Sequence, residues 1–92
     1  MKVADQVEER LRRLHPAQRR AVKASLRALA AGKAGDTLAL TDELEGFYRL
    51  RVGRFRVVYR YLRDGEISCE FMDARATVYE QFKALRDLLG ED

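Results

Sequence analysis

The sequence predicts a single α+β domain: an N-terminal helical hairpin packed on a small antiparallel β-sheet, followed by a short C-terminal helix. Three observations predict it. Apolar residues recur at helical spacing up to about residue 32, alternate between residues 35 and 72, and return to helical spacing from residue 77. Length sets the domain count, because 92 residues bury only roughly 60–65% of the surface that the unfolded chain exposes. Residues 1–92 therefore read as one domain with one modest core.

Val3, Val7, Leu11 and Leu14 fall on one helical stripe, with Glu8, Glu9, Arg12 and Arg13 elsewhere, so the first element is an amphipathic helix. His15-Pro16 breaks it. Pro16 suits the first turn of a second helix, where its missing N–H has no partner to lose. Val22, Leu26 and Leu29 carry that helix to Ala31-Gly32, where glycine supplies a left-handed cap. Two helices joined so tightly form an antiparallel hairpin. Thr37 to Leu40 is a short strand or an extended loop, and Asp42 to Gly46 reads as a turn. Phe47–Val52 and Arg54–Arg63 read as strands meeting at Gly53; Asp64-Gly65 marks a second hairpin turn before a strand at Ile67–Met72. Thr77 to Leu89 closes as a helix, with Val78, Phe82, Leu85 and Leu89 inward and Gly90 beyond its end.

The hydrophobic share of 47%, the charged share of 36%, four Phe and four Tyr describe a globular chain rather than a disordered one. The start MKVADQVEER has no apolar run, one cysteine cannot close an internal disulfide, and no stretch approaches the ~18 apolar residues of a membrane span. The expectation is a cytoplasmic protein that does not engage a membrane. The net charge is +3, yet Phe47 to Arg63 holds six arginines and no acid, which leaves the rest of the chain at −3. A locally basic segment attracts phosphate polyanions or acidic protein.

Strand alternation sorts those arginines. Tyr48, Leu50 and Val52 share one face and Arg49 and Arg51 the other; beyond Gly53, Phe55, Val57, Tyr59 and Tyr61 oppose Arg54, Arg56 and Arg60. The apolar face packs on the helices and the guanidinium groups gather on the opposite surface. Such a face can serve solvation alone. A solvating face, however, usually mixes Lys, Glu, Thr and Arg, whereas this one is nearly all arginine, the side chain whose planar fork grips phosphate bidentately.

The run Leu44-Glu45-Gly46-Phe47-Tyr48-Arg49-Leu50-Arg51-Val52-Gly53-Arg54-Phe55-Arg56-Val57-Val58-Tyr59 resembles the central hairpin of toxins of the RelE/ParE superfamily, which commonly reads L-x-G-x-Y-R-L-R-x-G-x-Y-R-V-x-Y. Arg75-Ala76-Thr77-Val78-Tyr79, leading into the last helix, also falls in the family's order. The resemblance implies a RelE/ParE-like fold and the toxin of a type II toxin–antitoxin pair, neutralised by a cognate antitoxin. RelE-type members cut mRNA on the ribosome, engaging rRNA; ParE-type members inhibit DNA gyrase without cutting. By match of motif, Arg49 and Arg51 take the phosphate-gripping positions of the first hairpin strand. Arg56 takes the charge-stabilising position of the second, and Arg75 and Tyr79 the remaining site positions. Arg54, Arg60 and Lys83 are the expected further nucleic-acid contacts. No cofactor or metal is implied.

The chemistry fits that residue set. Metal-free RNA cleavage needs the ribose 2′-OH to attack the adjacent phosphorus, and fixed guanidinium groups stabilise the charge that builds on the phosphoryl oxygens. With one His, one Cys and no carboxylates at ligand spacing, the residues suggest no metal cluster. Proton transfer falls to Tyr79, which is equally a packed aromatic at a helix start.

Departures from the family pattern matter. Asp73-Ala74 stands where basic residues or His often precede Arg75; an aspartate there repels phosphate and pairs with Arg75 or Arg56 instead. That admits a third reading, a catalytically weak homologue that binds antitoxin. Family members usually open with a strand, whereas this chain is expected to enter a helix almost at once: either its true start lies upstream, or one sheet edge lacks its usual neighbour. His15 reads as a cap or a surface residue beside Pro16, and Cys69 as a core residue flanked by outward Ser68 and Glu70. Tyr48, Tyr59 and Tyr61 read as core, and Arg12, Arg13, Arg19 and Arg20 as solvated helix face.

Overall fold

A computed structural model of the chain describes residues 1–90. Its elements are β1 (Lys2–Val3), α1 (Asp5–Arg13), α2 (Pro16–Ala30), β2 (Thr37–Ala39), a 3₁₀ turn (Asp42–Leu44), β3 (Tyr48–Val52), β4 (Phe55–Tyr61), β5 (Ile67–Asp73) and α3 (Val78–Leu88). The strands form one five-stranded sheet in the order β1-β5-β4-β3-β2. Every neighbouring pair is antiparallel except β1 with β5. The α+β class, the helical hairpin and the closing helix are as the sequence predicts.

Local chemistry sets the helix ends. The chain leaves α1 at Leu14 in an extended conformation, and the His15 side chain then caps α2, its Nδ1 accepting from the Ala17 N–H at 3.3 Å while Pro16 fills the first turn. Of the two readings open for His15, cap or surface residue, the structure shows the cap. Val7 and Leu11 of α1 and Val22 and Leu26 of α2 are buried and face the sheet.

Register divides the strands into two faces. Leu50 opposes Val57, which opposes Met72; Tyr48 opposes Tyr59, which opposes Cys69. These residues join Val7, Leu11, Val22 and Leu26 in the larger core. Full burial of an aliphatic side chain contributes roughly 1.5–3 kcal/mol, so this layer dominates the fold. On the other face Arg49 opposes Val58, which opposes Phe71. Val58 and Phe71 are buried beneath α3, with Leu44, Phe47, Val78 and Phe82.

That second core corrects the expectation of a fully open arginine surface: α3 covers its middle. Other differences are local. The chain opens with a strand rather than entering a helix at once, since Lys2 and Val3 pair with Ser68 and Cys69, so that sheet edge is occupied over two residues. Beyond it the Gln6 amide extends the pairing, donating to Met72 O at 2.8 Å and accepting from Met72 N at 2.9 Å. Thr37–Ala39 is a strand and not a loop. Ser68, expected outward, is 8% exposed, and Leu89, expected inward, is 65% exposed because it lies past the end of α3. Tyr61, expected in the core, is half exposed where β4 runs beyond the helices, whereas Tyr59 and Cys69 are buried as expected. No helix among the described residues is long and apolar enough to cross a membrane.

Candidate nucleic-acid interface

Arg51 and Arg56 are direct cross-strand partners on the α3 side of the β3–β4 hairpin. Gly53, with φ +59, turns the chain between them. Arg51 is exposed, and its Nε donates to Gly53 O at 3.2 Å. Arg56 is half-buried, and its Nη1 donates to Ala74 O at 3.1 Å. Among the described residues neither guanidinium lies within ion-pair distance of a carboxylate. Like charges placed directly opposite on a sheet destabilise it. The pair is therefore held by the hairpin register and by neutral carbonyls, leaving its charge available to an anion.

The remaining arginines of the run are treated differently. Arg49 shares the face, but its side chain is only 15% exposed and Nη2 lies 2.8 Å from Asp36 Oδ1, while its buried Nε has no partner. Arg60 sits on the far side of the Val58 row and pairs with Glu70 at 3.4 Å. A bulge at Val58/Tyr59 against β5 leaves Glu70 outside the register of paired residues. Arg54 is not in a strand but in the turn, with Cζ 5.5 Å from the centre of the Phe55 ring. The six arginines of the run thus do not form one ladder.

Asp73 occupies the end of the same row as the direct cross-strand partner of Arg56. It is 3% exposed and bonds to both Arg75 and Arg10, with Arg75 Nη2 at 3.2 Å from Oδ2 and Arg10 Nη2 at 3.2 Å from Oδ1. Of the two partners expected for it, Arg75 is the one it takes, and Arg10 on α1 is a partner that nothing in the sequence announced. Burial raises the Asp73 pKa, yet the Arg75 hydrogen bonds and the Arg10 charge outweigh it and bring the group from 3.8 down to about 2. The Arg75 guanidinium is correspondingly held in its charged form by that carboxylate.

Tyr79 stands on the flank of α3 that faces the 3₁₀ turn, lining a shallow recess with Asp42, Glu43, Leu44 and Lys83. It packs against the second core. No hydrogen bond among the described residues joins it to Arg51 or Arg56. Lys83 is paired to Glu43 at 2.6 Å. Structure thus brings together Arg51 and Arg56, places Arg49 on the same face in an ion pair, and sets Tyr79 and Lys83 in the recess beside the 3₁₀ turn. Asp36, Glu43 and Glu70, the carboxylates that neutralise three of the expected cations, were not singled out in the sequence. Each lies on a different element from its partner, so only strand pairing or helix docking reveals it.

No known protein-family model and no curated protein matches the sequence. Two solved structures match the fold. A chain of the RelBE2 toxin–antitoxin complex from Mycobacterium tuberculosis is 21% identical with a TM-score of 0.61, the match covering 80% of this chain and 94% of that one. A chain of the RelB–RelE antitoxin–toxin complex from Methanococcus jannaschii is 17% identical with a TM-score of 0.68, covering 89% of this chain and 99% of that one. At these identities the likeness is one of architecture: this chain has the same α+β fold as a chain in each of these RelB–RelE complexes.

Proposed function

We propose that the chain is the toxin of a type II toxin–antitoxin pair and that its Arg51–Arg56 pair grips the scissile phosphate of mRNA on the ribosome. The observation that carries this reading is the cross-strand pair of guanidinium groups, neither of which, among the described residues, is in an ion pair with a carboxylate. In the cleavage step the ribose 2′-OH attacks phosphorus and gives its proton to solvent water, the 5′-oxygen of the next nucleotide leaves and takes a proton from water, and a 2′,3′-cyclic phosphate remains. Arg51 and Arg56 offset the negative charge that grows on the non-bridging oxygens, an effect worth several kcal/mol in a preorganised site. Reading the chain as toxin rather than antitoxin draws support from its basic site and from a two-sided core closed within one chain. A cognate antitoxin is the expected protein partner, as in the complexes whose fold it shares.

Mapping of mRNA 5′ ends after induced expression tests this reading. Cuts in register with codons, lost in Arg56→Ala while the variant stays folded, are the expected result. Uncut mRNA with growth arrest would refute cleavage.

A second reading has its own support. Asp73 ties up Arg75, and Tyr79 lines a recess with the acidic 3₁₀ turn and, among the described residues, makes no hydrogen bond to the arginine pair. Both features favour a protein that binds through its arginines without cutting, as a ParE-like gyrase inhibitor or an antitoxin-binding homologue would. DNA damage signalling without mRNA cuts marks the first of these, and absence of growth arrest the second.

A further inference from the structure

A cavity of about 300 Å³ opens where the C-terminal end of α1 meets the tip of the β3–β4 hairpin. Arg10, Arg13 and Arg54 line it together with the Gln18 side chain, the Phe55 ring and Ala74, and no carboxylate is part of its wall. Arg10 and Arg13 come from α1 and Arg54 from the β3–β4 turn, two segments far apart in sequence. Arg10 is anchored by Asp73 at 3.2 Å and Arg13 by Glu9 at 3.0 Å, while Arg54 lies over Phe55. Two cations are therefore held in place by carboxylates behind them, and the third adds a charge that, among the described residues, no carboxylate offsets.

Ala74 joins this cavity to the site already described. Its side chain forms part of the wall, while its carbonyl receives Arg56 at 3.1 Å. An RNA strand whose phosphate lies on Arg51 and Arg56 needs to cross only this one residue to reach the cavity. The wall provides what a second phosphodiester requires: guanidinium donors, an amide donor at Gln18, and a ring and a methyl group against which a ribose can lie.

We propose that the Arg10–Arg13–Arg54 cavity is a second phosphate subsite, holding the phosphodiester next to the scissile one and so fixing the direction in which RNA crosses the hairpin. This inference rests on the RNA reading of the Arg51–Arg56 pair. The cavity sets polarity and grip; it takes no part in bond breaking.

The test uses the full chain and two uncleavable, fluorescein-labelled 2′-O-methyl RNAs, a dinucleotide and a tetranucleotide, followed by fluorescence anisotropy. Arg13→Ala is expected to weaken the tetranucleotide about fivefold, to lower the slope of log affinity against log salt by about 0.7, and to leave the dinucleotide unchanged. Arg54→Ala weakens the tetranucleotide likewise, and Arg63→Ala, which removes an exposed charge outside the cavity, does not. Equal losses in Arg63→Ala and Arg13→Ala would reduce the effect to overall charge and overturn the proposal. So would a tetranucleotide indifferent to Arg13→Ala, or a dinucleotide equally weakened by it. Should the wild-type chain bind neither RNA, the RNA reading itself falls. Inorganic pyrophosphate then tests the cavity separately by NMR: movement of the Arg13 and Arg54 Nε–Hε resonances supports an anion site there, and their indifference removes it.

Discussion

The two faces of the sheet are made by the same three strands and end up as different materials. On the hairpin side, Leu50, Val57, Tyr59, Cys69 and Met72 meet α1 and α2 in a continuous apolar layer. On the α3 side, the apolar contact is a smaller cluster of Val58 and Phe71 with Leu44, Phe47, Val78 and Phe82, and the next row holds Arg51, Arg56 and Asp73. One face is closed from end to end, while the other is closed in the middle and charged beside it. A single short helix in place of a helical hairpin leaves room for a site without giving up the core beneath it.

The two cores depend on different side chains. Phe82→Ala is expected to cost about 4 kcal/mol, because the ring is 3% exposed and packs edge-on to Phe47 at 5.1 Å. Hydrogen exchange should then show α3 losing protection while β4 and β5 keep theirs; protection retained in α3 would mean that the second core does not depend on this ring. Leu50→Ala, at the centre of the closed face and 1% exposed, should cost about 3 kcal/mol. Here urea unfolding should report loss of the whole fold in one transition.

Asp73 makes the charged row sensitive to pH. Its folded pKa of about 2 lies below the ordinary 3.8, so its contribution is complete above about pH 4. Falling pH then removes it through pH 2. The contribution is on the order of 2 kcal/mol, and Asp73→Asn should abolish it, making the urea midpoint flatter between pH 4 and pH 2. An unchanged pH profile in that variant would deny the carboxylate its role. Arg51→Ala should have the smallest effect on stability, within about 0.5 kcal/mol and towards a gain, since it relieves a like-charged pair. A substantial loss on thermal unfolding would show that Arg51 serves the fold more than an anion.

Much of this contrast is legible in residues 47–61, where a period of two separates Tyr48, Leu50, Val57 and Tyr59 from Arg49, Arg51 and Arg56. The adjacent Val57 and Val58 interrupt that period, as do Phe71 and Met72. Consecutive apolar residues in a strand mean that both faces are covered at that point, and this was the available sign that α3 would settle on the arginine side. The fate of Arg60 was not readable, because the bulge that leaves Glu70 within its reach is a property of two strands together. Nor was β1: two residues show no period, and Val3 also fits the stripe of α1. Asp73 with Arg75 was foreseeable from their spacing, whereas Arg10 reaches the same carboxylate only because α1 runs beside β5.

Gln6 has a consequence for how these molecules meet one another. Its amide occupies both main-chain groups of Met72 just where β1 stops, so a foreign strand approaching along that border finds them already taken. The opposite border, Thr37–Ala39, has no such guard, and its three residues are all exposed. Should crowded chains stack into fibres, growth would begin from that unguarded border.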